Sequence, residues 1–356
     1  MKETVEIDVT IIGGGIVGLF TAWKLSEKYK NITICLFEKS EYLGDHSTGR
    51  NSGVLHAGLY YDYDSLKHRY CIAGNKFWNK FSSQFNVDIK QVGKYIFGNN
   101  EKDIEELYEK AVKNGVTGLS RRPISEISSY VNSKFCFFSK TTSIINVPQA
   151  VKVLEKLFTN NDGIIVNSRK VDNILNLDKF IIDFSDYQIK SSILINTAGH
   201  DAINIRNLLG LNNLSNLYVK GDYLATTQKL KYPCLLYPLP EKNLKGLGIH
   251  SNIGFDETTR FGPDTNIVQE SLYNSNDENI TLIKNDISKN FKNINLEKLH
   301  YDFSGIRSKI KLNGKEYNDF WISSPITNYI EACGIDSPGL TGAPAISEMI
   351  LDLINL

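Results

Sequence analysis

Val5 to Ile12 (VEIDVTII) reads as a buried β-strand, and Gly13, Gly14, Gly15 and Gly18 follow it as GGGIVG. These glycines open an amphipathic segment with Ile16, Leu19, Phe20 and Trp23 at helical spacing, and a second strand, Ile32 to Phe37, ends on Glu38. This is a βαβ unit with G-x-G-x-x-G at its first turn and an acid about 20 residues later, the fingerprint of dinucleotide binding. Each part has a physical task. Gly13 permits a tight turn, Gly15 lets the backbone approach a pyrophosphate, and Gly18 lets helix and strand pack closely. Ile16 and Val17 open the helix, whose N-terminus offers unpaired N–H groups and partial positive charge to phosphates. Glu38, followed by Lys39, would accept ribose hydroxyls. A carboxylate there favours FAD or NAD over NADP, whose 2′-phosphate it would repel.

Composition narrows the class. The chain has 356 residues, 41% of them hydrophobic, and formal net charge zero. That is ample for a sizeable core and suggests two domains. No Lys/Arg block is present, which argues against a nucleic-acid partner. Cys35, Cys71, Cys136, Cys234 and Cys333 are scattered with no CxxC pair, a pattern that argues against a disulfide framework or a metal site and suits a reducing compartment. The opening MKETVEID lacks the basic and apolar regions of a signal peptide, and no apolar run reaches the length of a membrane span. The reading is cytoplasmic, with peripheral attachment at the inner face of a membrane left open.

The order of elements is not a simple row of βα units. Helical patterns cover Leu66 to Phe85, Ile104 to Asn114, a short piece at Pro123 to Ile127, and Pro148 to Phe158. Strand patterns cover Gln91 to Phe97, Phe135 to Ile145, Ile164 to Val171, Phe180 to Phe184 and Ile189 to Asn196, the last running into Thr197-Ala198-Gly199. Residues 217 to 262 are strand-rich. The tail holds a strand at Tyr329 to Cys333, a glycine-rich turn, and a helix from about Ala343 to Ile354. The expected fold is mixed α/β: a discontinuous Rossmann-type domain (1–85, 146–215 and 326–356) with a mixed β-sheet substrate domain inserted as 86–145 and 216–325.

A second cluster sharpens the reading. RNSGVLHAGLYY (Arg50 to Tyr61), then SLK, Tyr237-Pro238-Leu239-Pro240, GLGIH, GPD, SGIR and GIDSPGLT follow in order. Together they resemble the L-2-hydroxyglutarate dehydrogenase/oxidase family, within the D-amino-acid-oxidase-like FAD oxidoreductases. The resemblance runs from residue 13 to 342. It implies FAD as cofactor, with Arg50, Asn51, Ser52 and Gly53 along the flavin and its phosphates. It also implies Val171 at the adenine, Ala198 and Gly199 by the adenosine and pyrophosphate, and the turn from Gly334 through Gly339, Leu340 and Thr341 at the flavin's pyrimidine edge. A helix N-terminus there would stabilise the negative charge of a reduced flavin.

Oxidising a 2-hydroxy acid needs a cation for the carboxylate, a base for the hydroxyl proton, and the C2 hydrogen aimed at flavin N5. Arg307 is the first candidate for the carboxylate, because a guanidinium meets it bidentately. His56 and His250, two of only six histidines, are the base candidates, unranked. Tyr60 and Tyr61 are candidate donors to a carboxylate, with one of the two expected to face the site. Arg260 is a candidate for a second carboxylate. The expected function is conversion of L-2-hydroxyglutarate or a close relative to the 2-oxo acid, with oxygen, a quinone or a carrier protein as electron acceptor. The alternatives are an amine or amino-acid oxidase on the same scaffold and a non-catalytic flavin-binding protein.

Overall fold

The computed structural model describes residues 3–354 apart from 231, 233 and 241–247; Gly246 and Leu247 of the GLGIH segment lie outside the described residues. An eight-stranded sheet carries the N-terminal motif. Its centre is Glu3–Ile12, parallel both to Tyr187–Asn196 and to Ile34–Phe37, with Ile164–Val166 parallel beyond the latter. The C-terminal half of Tyr187–Asn196 pairs in parallel with Tyr329–Cys333, which brings the chain's last strand beside its first turn. Trp321–Ile326 then pairs antiparallel with Tyr329–Cys333, so this sheet takes residues expected on the substrate side of position 326.

One face of that sheet is covered by four helices: Ile16–Lys28, Leu66–Phe85, Val147–Thr159 and Gly339–Asp352. Aromatic edges interlock where the first two meet. Phe20 and Trp78 are T-shaped at 5.1 Å between centroids, and Trp23 meets Phe81 at 5.6 Å. Phe20 and Trp78 are fully buried, and each such side chain contributes about 2–3 kcal/mol through burial. The helix Leu66–Phe85 crosses the last helix at a glycine: a Cβ on Gly74 would lie 1.8 Å from the carbonyl of Thr341. That close approach fixes the height of the turn before the last helix.

The last helix starts at Gly339 rather than near Ala343, and Pro344 lies inside it. Pro344 has no N–H for the carbonyl four residues back. Trp78 Nε1–H takes its place and donates to the Leu340 carbonyl at 3.1 Å.

A ten-stranded sheet forms the second layer. Its spine is the long antiparallel pair Leu214–Thr226 and Leu299–Leu312. Thr259–Gly262, His250–Ile253, Leu235–Pro238, Lys94–Gly98, Phe135–Ser139 and Leu119–Arg121 extend it in that order. A small sheet of Val54–Leu55, Ser143–Ile145 and Ile89–Lys90 bridges the two layers. Phe135 to Ile145, expected as one strand, is therefore two: Phe135–Ser139 serves the large sheet and Ser143–Ile145 the small one. The expected strand from Ile164 to Val171 stops at Val166, and the piece at Pro123 to Ile127 is a 3₁₀ turn.

Candidate active site

One cavity of about 610 Å³ runs from the N-terminal glycines to the face of the large sheet. At one end stands the dinucleotide fingerprint. Gly13 has φ +108°, and a Cβ there would lie 2.5 Å from the Thr197 carbonyl. A Cβ on Gly18 would lie 2.0 Å from the Gly13 carbonyl, so strand and helix touch as closely as expected. Gly15, Ile16 and Val17 line the cavity, and the N-cap Gly15 has no side chain to cap the helix, so its one side-chain acceptor among the described residues is Thr48 Oγ1, at the Ile16 N–H.

Glu38 is buried, lines the cavity, and is held by two backbone donors. Oε2 accepts the Gly14 N–H and Oε1 the Ser40 N–H, each at 2.8 Å. A carboxylate has about four acceptor positions, so capacity for ribose hydroxyls remains. Lys39 lines the same end and pairs with Asp201 at 2.6 Å.

Val171, Ala198 and Gly199 line this end too. Arg50, Asn51 and Ser52 follow along the wall. The Arg50 guanidinium lies 4.1 Å from the centroid of the Tyr273 ring. Asn51 closes its own turn, donating to the Ser47 and Thr48 carbonyls and accepting from Gly53 N–H at 2.7 Å. Gly339, Leu340 and Thr341 line the cavity at the uncapped start of the last helix. Gly18, Gly53 and Gly334 are not in the lining. Gly53 (φ +64°) and Gly334 (φ +66°) shape the turns on either side of it.

The opposite end holds His56, His250 and Arg307, the side chains expected to carry the chemistry. His56 is buried, with Nε2 3.3 Å from Ser337 Oγ and Nδ1 without a partner. Its backbone is pinned twice: its N–H donates to Thr341 Oγ1 at 3.0 Å, and its carbonyl accepts from Asn75 Nδ2 at 3.1 Å. Burial holds its pKa well below the usual imidazole value, with Lys94 and His250 acting in the same direction.

His250 heads the strand His250–Ile253. Its Nδ1 lies 2.9 Å from the Gly248 carbonyl, and a carbonyl only accepts. Nδ1 therefore carries the hydrogen, and Nε2 is an acceptor. Burial pushes this imidazole down to about 3.

Arg307, in the strand Leu299–Leu312, donates from both terminal nitrogens to the Asp264 carbonyl at 3.3 Å. Among the described residues it has no carboxylate partner, and it lines the cavity. Tyr60 and Tyr61 both line it. The expectation that only one would do so assumed an extended strand, and this segment is a turn, so alternation does not apply.

Arg260 is corrected. It is not in the lining, and it is committed to Asp302 at 2.6 Å and Asp256 at 2.9 Å. Several residues were not anticipated. Thr48 Oγ1 accepts the Ile16 N–H at 3.0 Å. His200 meets Ser47 Oγ at 2.8 Å and Ser271 Oγ at 2.9 Å. Tyr237 stacks on His250, and Lys94 sits behind the wall. Two histidines, His46 and His200, both in the cavity lining, were the available signal for that part.

A bound dinucleotide fits these residues: closely packed glycines, two helix starts whose N-cap residues make no side-chain bond, and a buried acid share one cavity. Known proteins agree. The family of FAD dependent oxidoreductases known as DAO matches residues 8–353. The chain belongs to this family. Its cofactor is FAD.

L-2-hydroxyglutarate dehydrogenase of Nematostella vectensis is 30% identical over 74% of this chain, a match covering 63% of that enzyme. The chain thus spans less than two thirds of its length. The Escherichia coli K12 enzyme of the same name is 26% identical over 98% of this chain and 93% of its own. Glycerol 3-phosphate dehydrogenase of Caloramator mitchellensis is 28% identical over 98% of this chain and 74% of its own. Among solved structures, FAD-bound L-alpha-glycerophosphate oxidase of Mycoplasma pneumoniae superposes with a TM-score of 0.89 at 23% identity, covering 99% of this chain and 95% of that one.

Proposed function

We propose that this chain oxidises an L-2-hydroxy acid, L-2-hydroxyglutarate foremost, to the 2-oxo acid. The observation that carries this is the pairing, in one cavity wall, of an arginine without a carboxylate partner and a histidine fixed as an acceptor. Arg307 offers two N–H donors in a plane to the carboxylate at C1. A neutral acceptor nitrogen such as His250 Nε2 would repel that carboxylate, so it suits the hydroxyl. His56 comes from the loop tied to Ser337 and Thr341, the turn that would face the flavin, and we assign it the hydroxyl proton. His250, on the opposite sheet, orients the same hydroxyl. FAD, when bound, supplies the two-electron acceptor. Gly13, Gly15, Glu38, Val171, Ala198 and the start of the last helix would hold it.

A second reading has its own support. The Caloramator relative and the Mycoplasma structure are named for glycerol 3-phosphate and glycerophosphate, and Arg307 would serve a phosphate as it serves a carboxylate. Anaerobic titration of the FAD-loaded protein separates the two. L-2-hydroxyglutarate is expected to bleach the flavin's visible absorbance and yield 2-oxoglutarate. Bleaching by glycerol 3-phosphate alone would replace the first reading with the second. Bleaching by an amino acid alone would move the chain to amine chemistry.

Among the described residues no helix is long and apolar enough to cross a membrane, and no cluster of His, Cys, Asp and Glu is arranged to hold a metal ion.

A further inference from the structure

Lys94 opens the strand Lys94–Gly98 and is fully buried. Its Nζ has no hydrogen-bond partner. It lies 4.8 Å from the centroid of the Tyr60 ring and 4.4 Å from that of Tyr237. Lys94 and Leu235 are in register, so Tyr237, two residues on, projects from the same face of the sheet. Both tyrosines line the cavity, and both hydroxyls also lack partners. Buried polar groups are nearly always satisfied, and each unsatisfied one raises the free energy of the site until a ligand meets it. Two unsatisfied hydroxyls on the wall, with an unsatisfied amine behind them, describe a place made for an acceptor with negative charge.

The surroundings supply no such acceptor. The titratable groups around Lys94 are Tyr60, Tyr237, His56, His250 and the Cys71 thiol. Among the described residues no carboxylate pairs with Lys94. Lys94 and Arg307 both act on His250, each holding it neutral, so two cations stand around the His250–Tyr237 stack.

We propose that Lys94, its charge set behind the rings of Tyr60 and Tyr237, is with their hydroxyls the second positive pole of the site and selects substrates bearing an acidic group at the end remote from Arg307. The shared chemistry is a carboxylate or a phosphate at that end, three to five atoms along the substrate chain. This rests on the reading that Arg307 holds the first anionic group. Burial lowers the Lys94 ammonium to about 7. A bound anion favours the charged form and raises it again, so ligand binding takes up a proton and weakens as the pH rises above about 7.

Calorimetry on the FAD-loaded enzyme tests this with 2-oxoglutarate and with 2-oxobutyrate, which lacks the far carboxylate. Glycerol 3-phosphate is the phosphate arm. Wild type is expected to prefer 2-oxoglutarate over 2-oxobutyrate, and Lys94→Met to weaken 2-oxoglutarate by about 10-fold to 100-fold while leaving 2-oxobutyrate within about 2-fold. If glycerol 3-phosphate binds where 2-oxoglutarate does not, the hydroxy-acid reading fails, and Lys94→Met then locates its one phosphate: weakening by about 10-fold to 100-fold puts the phosphate at the Lys94 pole and the proposal stands, whereas an unmoved affinity puts it at Arg307 and overturns the proposal. A preference that survives in Lys94→Met overturns the proposal. So does equal weakening of both oxo acids, which would mark a structural role. Should Lys94→Met fail to fold, Tyr60→Phe with Tyr237→Phe removes only two hydroxyls. It is expected to lose part of the same preference, and an unchanged preference there refutes the idea.

Discussion

The His250 imidazole stacks on the Tyr237 ring with centroids 3.8 Å and planes 23° apart. The stack and the Nδ1–H bond to Gly248 leave the ring one orientation, with Nε2 as acceptor. His56 is held from a different element, through Ser337 and Thr341. The two rings therefore differ in what their loss should do. His56→Asn is expected to lower kcat by about 10²-fold to 10⁴-fold, the range for a lost general base. His250→Asn is expected to act mostly on KM. Steady-state kinetics on both variants decide, and the reverse pattern would exchange the two roles.

Three buried histidines share one direction of titration. Burial holds His56 well below its ordinary value, His200 at about 4 and His250 at about 3. The unfolded chain binds these protons near pH 6.5, so between that value and the folded ones it binds more protons than the native state. Their contribution to stability is complete above about pH 6.5 and is lost as the pH falls. At pH 5 His200 and His250 each cost about 2 kcal/mol relative to neutral pH, and His56 acts in the same direction. Urea unfolding at pH 7.5 and pH 5 should show the drop, and in His250→Asn the drop should shrink by about that amount. An unchanged pH dependence would mean that His250 does not stay neutral in the folded protein.

Gly74 controls the turn at the cavity from a distance. Its missing Cβ leaves room for the Thr341 carbonyl, and backbone cannot move aside as a flexible side chain does. Gly74→Ala is expected to push the two helices apart and to destabilise by about 1–3 kcal/mol. FAD affinity should fall with it, because Thr341 also anchors the His56 backbone. Tm and FAD titration check both; normal values in the variant would mean the helices tolerate the shift.

Glu38→Gln replaces one of two acceptor oxygens with a donor that faces a backbone N–H. Gly14 and Ser40 cannot both be served. Reconstitution of apoprotein with FAD should show affinity about 10-fold to 100-fold weaker. An unaltered dissociation constant would remove Glu38 from the cofactor site.

Much of this arrangement is local, and local features are legible in a sequence. The first turn needs glycines at Gly13 and Gly18 because backbone atoms occupy the Cβ positions, and the helix Leu66–Phe85 follows its apolar spacing to the residue. What escaped depends on contacts between distant segments. Phe135 to Ile145 divides because its two halves pair in different sheets. Arg260 looked free for a ligand until the fold brought Asp302 beside it. Lys94 falls inside the strand pattern Gln91 to Phe97 with nothing in the sequence to mark it, and only the packing of Tyr60 and Tyr237 over it shows that it is buried.

On the proposed function, Arg307 is the side chain on which substrate recognition would depend most. Its fork is aimed by two donations to one carbonyl, that of Asp264, which leaves the remaining N–H groups for a ligand. Lysine has the charge without the plane, so it would keep attraction and lose the paired geometry. Arg307→Lys is expected to raise KM for the hydroxy acid by about 10-fold to 100-fold, and Arg307→Met by more, since a hydrogen-bonded charge is worth about 1.5–3 kcal/mol. FAD content and Tm should change little, because among the described residues Arg307 bonds one carbonyl at 3.3 Å and no carboxylate. Substrate titration beside a flavin count separates the cases. If both variants lose FAD and substrate together, Arg307 supports the fold of the wall and the carboxylate is held elsewhere.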